Sequence, residues 1–438
     1  MGKHRHLLPD KLPCLSYLSA TRVLYLLAGL LGLFLTVFIP SPTGLTPEAW
    51  RTAGLASMMA LWWMTGALPL AVTALAPLIL APVLGLGDLP TVAAFYANPI
   101  LFLFLGGFLI GRAIEQWGLH RRIALHILGL AGDQPGRLLA AIMLVTAFLS
   151  LWISNTASAM VMLPIAISLT AGRPKGDRFA TAVMLGVAYS ATIGGIGSLI
   201  GTPPNALFAA YIGQTHGITV GFAQWAMVGL PVSAVLLVVS WLVLSRLTPG
   251  AGDARLAPGR LVRSGQWTSA ERRVAIVAGL TALAWVLRPF AERLVPGFAL
   301  DDAWIAMAGG GILFLLPSGT KGRLLAGAAL RGVRWDILVL FGGGLALAGL
   351  IDRSGLAEWI GESVSGLQFL HIFLLILAIV LIVIFLTEIT SNTATAAAFL
   401  PILASTAIGM GQNPMLFIMP AAIAASCAFM LPVATPPN

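Results

Sequence analysis

Long apolar runs, cut by short clusters of charge, proline and glycine, organise this chain from about residue 22 onward. A helix needs roughly 20 apolar residues to cross the hydrocarbon of a bilayer. That measure predicts membrane helices at about 22–40, 49–66, 67–86, 98–116, 223–246, 272–290, 302–317 and 335–352. Two longer apolar stretches, 138–170 and 367–408, are each interrupted by Ser-Asn-Thr. A further stretch, 180–212, and the last run, from about 414, each meet Thr-Pro-Pro-Asn. Segments 118–137 and 353–366 are modestly amphipathic, and either lie along the interface or form ordinary loops. No small-residue cleavage site follows Val23–Ile39, so that run is read as a first membrane helix and not a removable signal.

The interruptions are a repeat. FLSLWISNTASAMVMLP carries Ser154-Asn155-Thr156, and FLTEITSNTATAAAFLP carries Ser391-Asn392-Thr393, 237 positions later. The same offset places Gly106-Gly107 on Gly343-Gly344, Gly118-Leu119 on Gly355-Leu356 and Pro164 on Pro401. Thr202 to Asn205 recurs as Thr435 to Asn438, at an offset of 233. Duplicated helix-breaking polar motifs in an apolar chain point to a transporter built from two repeats.

Each Ser-Asn-Thr stretch is either one long tilted helix or a hairpin that enters and leaves on one side. Charge arbitrates. With both stretches as re-entrant hairpins and the N-terminus inside, only Arg51, Arg288, Arg293 and Arg353 of the 25 Lys and Arg fall outside. Basic loops stay cytoplasmic, and this arrangement obeys that bias. It leaves an odd number of crossings between the repeats, which are therefore inverted and share a site near the bilayer midplane. The expected fold is an all-α polytopic membrane protein of two inverted repeats, each with a hairpin and a broken helix. Its parts are a cytoplasmic segment 1–21, helices in 22–97, a first repeat 98–246, a cytoplasmic linker 247–271 and a second repeat 272–438.

Composition agrees: 58% of residues are hydrophobic and 9% charged, against about 25% charged in soluble domains. The net charge of +9 is scattered between apolar runs without interleaved aromatics, which argues against nucleic acid. Two cysteines, Cys14 and Cys427, make no disulfide framework. The six histidines lack metal-ligand spacing, and no phosphate-loop or dinucleotide motif appears, so enzyme classes are disfavoured.

A hairpin tip frees backbone carbonyls from one half-helix and N–H groups from the other. In lipid each would cost several kcal/mol, so the tip faces protein, water or ligand. Carbonyls with Asn and Ser oxygens suit a hard cation such as Na⁺; N–H groups with Thr hydroxyls and the Asn amide suit an anion. Thr-Pro-Pro-Asn breaks its helix because proline removes donors and its ring clashes with a preceding carbonyl. That break offers carbonyls to a cation and the Thr202 and Thr435 hydroxyls to a substrate. No Lys, Arg or His lies in either tip or break, so an anion there needs co-bound cations. Glu388 either joins the second cation site or hydrogen-bonds within its hairpin.

These motifs resemble those of the divalent anion/sodium symporter family, from about residue 20 to the end: SNTASAMVMLP, GTPPNALFAA, TEITSNTATAAAFLP and LPVATPPN. The resemblance implies Na⁺-coupled symport of a C4-dicarboxylate across an inner membrane, by a homodimer whose transport domain moves as an elevator on a scaffold. It places a first Na⁺ site at Ser150, Ser154, Asn155 and Gly201, and a second at Thr387, Thr390, Asn392 and Ala434. It assigns the substrate to Asn155, Thr156, Thr202, Asn392, Thr393 and Thr435, with Pro203 and Pro436 shaping the pocket. Some relatives exchange dicarboxylates without sodium, and others carry sulfate or another oxyanion. The family pattern continues beyond the second break, whereas this sequence reaches Asn438 inside it. A channel or partner subunit that keeps the fold is the reading from a different class.

Overall fold

The computed structural model describes residues 20–132, 134–174, 176–246, 265–294, 300–319, 322–364 and 371–438. Among these residues the regular structure is helical, apart from one isolated bridge between Pro317 and Arg323. The first helices are α1 (Ala20–Phe38), α2 (Pro47–Thr65), α3 (Leu70–Thr73), α4 (Ala76–Val83) and α5 (Leu89–Ala94). Next come α6 (Pro99–Gln116), α7 (Leu119–Leu130), α8 (Pro135–Ser150), α9 (Asn155–Thr170), α10 (Arg178–Ile196), α11 (Pro203–His216) and α12 (Phe222–Arg246). The remainder are α13 (Ser269–Leu294), α14 (Asp302–Ile312), α15 (Trp335–Arg353), α16 (Leu356–Val364), α17 (Ile372–Ile389), α18 (Asn392–Gly409) and α19 (Met415–Ala425).

Among the described residues, eight helices are long and apolar enough to cross a membrane. α10 and α15 are buried along most of their length and form the centre, whereas α1, α12, α13 and α17 expose Leu, Val, Ile and Phe, as a lipid-facing surface does.

Two expected spans come out differently. The stretch 67–86 is not one helix but α3 and α4. Gly66, left-handed at φ 61°, ends α2, and Pro69, Pro77 and Pro82 withhold the N–H groups a continuous helix would use. The stretch 302–317 is helical only to Ile312, beyond the Gly309-Gly310-Gly311 run, where glycine is a weak helix former. Of the linker 247–271, residues 247–264 lie outside the described residues; its last three already belong to α13. That helix starts on a capping box in which Thr268 N and Oγ1 donate to Glu271 and Glu271 N donates back to Thr268. Residues 1–19 of the segment 1–21, and 367–370 of the second hairpin, are also outside the described residues.

The 237-residue repeat is visible in the backbone. Gly118 (φ 69°) and Gly355 (φ 80°) turn α6 into α7 and α15 into α16, a left-handed bend that other residues resist. The repeats also interlock. A side chain at Gly106 would strike the Ala306 backbone on α14, and one at Gly343 would strike the Ala74 backbone after α3. Gly106 thus packs against the second repeat, and Gly343 against the helices in 22–97.

Candidate functional site: two hairpin tips and two broken helices

Both Ser-Asn-Thr motifs stand where one helix ends and the next begins. α8 stops at Ser150, and Ser154 caps α9, its hydroxyl accepting from Ala157 N at 3.3 Å. In the second hairpin α17 ends at Ile389 and α18 starts at Asn392, with Ser391 as an N-cap whose side chain makes no capping bond. α8 and α9 have 16 residues each, about 24 Å of helix, which falls short of the hydrocarbon thickness.

The tips are built alike. Ser150 Oγ donates toward Asn155 Oδ1 at 2.8 Å and toward the Ala191 carbonyl on α10 at 2.5 Å. At the positions 237 later, Thr387 Oγ1 donates toward Asn392 Oδ1 at 2.8 Å and toward the Ala425 carbonyl on α19 at 2.9 Å. Each cluster brings three oxygens together with one hydroxyl proton among them. Such a group is rich in lone pairs and short of hydrogens, which suits a hard cation. Gly201 adds to the first cluster: a Cβ there would lie 2.6 Å from the Gly195 carbonyl oxygen and 2.8 Å from that of Ser150. A Cβ on Gly195 would strike Asn155 Oδ1. The residues present therefore fit Na⁺ at the first cluster through neutral oxygens.

Other expected residues sit less uniformly. Thr156 is half-buried and Thr393 buried, each one residue inside a helix N-terminus, where free N–H groups favour an anion. Thr202 caps α11, is buried, and lies 3.4 Å from Ser426 Oγ, so the first break touches the second repeat. Pro203 follows as the first residue of α11. Among the described residues the buried Thr435 Oγ1 has no hydrogen-bond partner, which leaves it open to a ligand oxygen. Ala434 is half-buried and Pro436 exposed. Thr390 turns away from Asn392, donating to Leu386 O at 2.9 Å and lying 2.6 Å from Thr395 Oγ1. Among the described residues no hydrogen bond joins Asn155 to Asn392. α11 packs against both α18 and α19 and so links the halves.

Glu388 hydrogen-bonds outside its hairpin, which the sequence reading did not foresee. It is buried, and its carboxylate accepts from Phe429, Met430 and Leu431 N at 2.7, 2.9 and 2.8 Å. It braces the second break. Asn205 and Asn438 were inside a recognised motif, but only its Thr and Pro received roles; both amides bind the breaks. The carbonyls of Ala191 and Ala425 carried no signal at all, because a backbone acceptor has no side-chain signature.

A cavity of about 420 Å³ lies elsewhere, between α6, α11, α13 and α14. Arg288 on its wall pairs with Glu292 at 2.8 Å and Asp302 at 3.0 Å, so its charge is already neutralised. Asp302 also accepts from Phe222 N at 2.7 Å. Trp152 from the first tip stacks toward Phe222 at 6.3 Å, and Phe222 on Trp285 at 4.5 Å, which seats that tip against α13.

Fold and site together define a multi-pass membrane transporter built from two repeats, each with a hairpin tip and a broken helix. The pattern described as "Sodium:sulfate symporter transmembrane region" matches residues 20–438, and the chain belongs to that family of divalent anion/sodium symporters. It is 39% identical over 434 residues to the sodium-dependent dicarboxylate transporter SdcS of Staphylococcus saprophyticus, covering 94% of this chain and 83% of that protein. To the SdcS of Staphylococcus aureus strain USA300 it is 37% identical over 444 residues, covering 96% and 85%. The crystal structure of the Alcanivorax borkumensis YdaH transporter superposes with a TM-score of 0.56 at 16% identity, over 93% of this chain and 87% of that one, a likeness of fold.

Proposed function

We propose that this protein couples the entry of Na⁺ to uptake of a C4-dicarboxylate of the succinate, malate or fumarate type. The observation that carries the reading is the twice-built oxygen cluster, Ser150–Asn155–Ala191 and Thr387–Asn392–Ala425, each tying a hairpin tip to a broken helix. The family and the printed names of the relatives support it.

The chemistry follows from charge. A dianion at mid-membrane is costly, and neither tip nor break supplies a Lys, Arg or His. Cations held by the first set (Ser150, Ser154, Asn155, Gly201) and the second (Thr387, Thr390, Asn392, Ala434) neutralise it. Its carboxylates meet the Asn155 and Asn392 amides, the Thr156, Thr202, Thr393 and Thr435 hydroxyls and the N-termini of α9 and α18, with Pro203 and Pro436 as walls. Without sodium the site repels nothing but offers the anion too little, so binding is coupled.

In this reading the N-terminus is cytoplasmic, the membrane is a bacterial inner membrane, and the protein is a homodimer. Helices in 22–97 belong to the scaffold, and the two hairpins with their broken helices travel as an elevator. Uptake of labelled succinate into proteoliposomes, with and without a sodium gradient, tests it. Uptake that needs sodium supports symport. Uptake indifferent to sodium but driven by internal dicarboxylate marks an exchanger, and sulfate uptake in place of succinate an oxyanion carrier.

A further inference from the structure

The asparagines that close the two Thr-Pro-Pro-Asn motifs do the same thing in both halves. Asn205 is fully buried, and its Nδ2 donates to the carbonyls of Gly195 at 3.1 Å, Ile196 at 3.3 Å and Ser198 at 2.8 Å. Asn438 Nδ2 donates to Ala428 O and Leu431 O, both at 3.1 Å. Ala428 and Leu431 lie 233 positions after Gly195 and Ser198, the offset of the motif itself. In the first break the side chain, at the start of α11, thus reaches back across the break and gathers carbonyls at the end of α10; Asn438 gathers the two at the matching places of the second.

The Gly195 carbonyl is the one that matters most. It faces Gly201 beside the Ser150 carbonyl, at the first oxygen cluster. An amide donor is well suited to hold it, because it fixes the carbonyl through one lone pair and leaves the other free. Among the described residues the Asn205 oxygen has no hydrogen-bond partner, although it is buried. The side chain is therefore committed to its donor end, and a carboxylate of the same shape would set oxygen against three carbonyl oxygens.

We propose that Asn205 is a positioning residue for sodium: it holds the broken-helix carbonyls, Gly195 above all, in the orientation the first Na⁺ site requires, and Asn438 does this for the second break. The inference rests on the sodium-coupled reading of the site. Asn205 does not touch the dicarboxylate, so its loss changes what sodium concentration is needed and not how the substrate is recognised once sodium is bound.

The test uses the purified protein with Asn205→Asp, Asn205→Ala and the hydroxyl donor Asn205→Ser. Two readouts are taken: succinate uptake in proteoliposomes over a range of sodium, and the sodium-dependent rise in the melting temperature of the detergent-solubilised protein. The aspartate and alanine variants are expected to need about fivefold more sodium or above for half-maximal uptake, the scale of one neutral hydrogen bond. The sodium-induced melting shift should move to higher sodium by the same factor. The succinate KM at saturating sodium should equal that of the wild type, and Asn205→Ser should recover part of the loss. A lowered melting temperature with unchanged sodium dependence in both readouts overturns the proposal and makes the side chain a structural staple. Sodium and succinate constants rising together also overturn it. Wild-type uptake and melting both indifferent to sodium would remove the sodium-coupled reading itself, which is seen before any variant is made.

Discussion

The two breaks share an asparagine that gathers carbonyls and differ in what else must be held. In the first half α10 keeps its helical turn to Ile196, and the released groups to be satisfied are carbonyls: Asn205 takes three, Trp225 Nε1 donates to Ile196 O and Ser233 to Ile193 O. In the second half α19 stops at Ala425, a turn earlier by the motif offset, and beside the Ala428 and Leu431 carbonyls that Asn438 takes, N–H donors are left over. Glu388 accepts from three of them. The position equivalent to Glu388 is Leu151, where no acceptor is needed because the helix supplies its own. The first break is glycine-rich, with Gly194, Gly195, Gly197 and Gly201; the second has Cys427, Ala428, Met430 and Ala434 at the matching places. The tips differ as well: Trp152 is wedged on Phe222, while its counterpart Ile389 is exposed. A duplicated motif therefore fixes which oxygens converge, and each half finds its own support for the backbone behind them.

The largest test of this contrast is Glu388. Removing the carboxylate in Glu388→Ala deletes three part-buried hydrogen bonds to a charged group, a loss of about 3 kcal/mol or more. Thermal denaturation should show a strongly destabilised protein with little uptake, whereas Leu151→Ala should cost only its packing. Equal effects of the two would erase the asymmetry. Next is the pair Gly201→Ala and Ala434→Gly. The first drives a methyl toward two carbonyl oxygens, a clash worth about 1–3 kcal/mol, so half-maximal sodium should rise by about tenfold. The second only frees the backbone and should change sodium activation little. A mild Gly201→Ala phenotype would mean the carbonyls do not bind there.

Ser150→Ala and Thr387→Ala address what the halves share. Each deletes one hydroxyl that joins an Asn oxygen to a broken-helix carbonyl, so each should weaken sodium activation by about fivefold, corresponding to about 1 kcal/mol. Sodium titrations that found only one of them affected would break the symmetry of the clusters.

The smallest effect is at the end of α11. Burial pushes His216 below the ordinary histidine value of 6.5, although the Asp352 charge pulls the other way. The unfolded chain then binds the proton more readily than the fold does. The His216 contribution is complete above 6.5 and is lost as pH falls below it. Melting temperature should decline slightly from about pH 7.5 to 5.5, and His216→Gln should flatten that slope.

Much of this was legible in the chain, for particular reasons. Ser-Asn-Thr marks a helix boundary because Ser154 and Ser391 occupy N-cap positions and free a turn of backbone, so the break inside each hairpin followed from the motif. The 237 offset carried the pairing of Ser150 with Asn155 onto Thr387 with Asn392. The split of 67–86 was written in Pro69, Pro77 and Pro82, but an apolar-run length criterion passes over it. What hydropathy cannot carry is a backbone partner: Ala191 and Ala425 are ordinary alanines until a hydroxyl from a distant helix reaches them. Nor does the motif offset foretell that α19 ends a turn before α10 does, and so the three-fold bracing by Glu388 emerges only in the folded chain.

The central claim is that both clusters bind sodium so that one dicarboxylate can enter. Its most direct measurement is the simultaneous uptake of labelled sodium and labelled succinate into proteoliposomes, for the wild type, Asn155→Ala and Asn392→Ala. A fixed ratio of sodium to succinate in the wild type, with both fluxes lost in each variant, is the predicted result. Succinate entering at an undiminished rate without sodium, or coupled flux surviving in either variant, would contradict it.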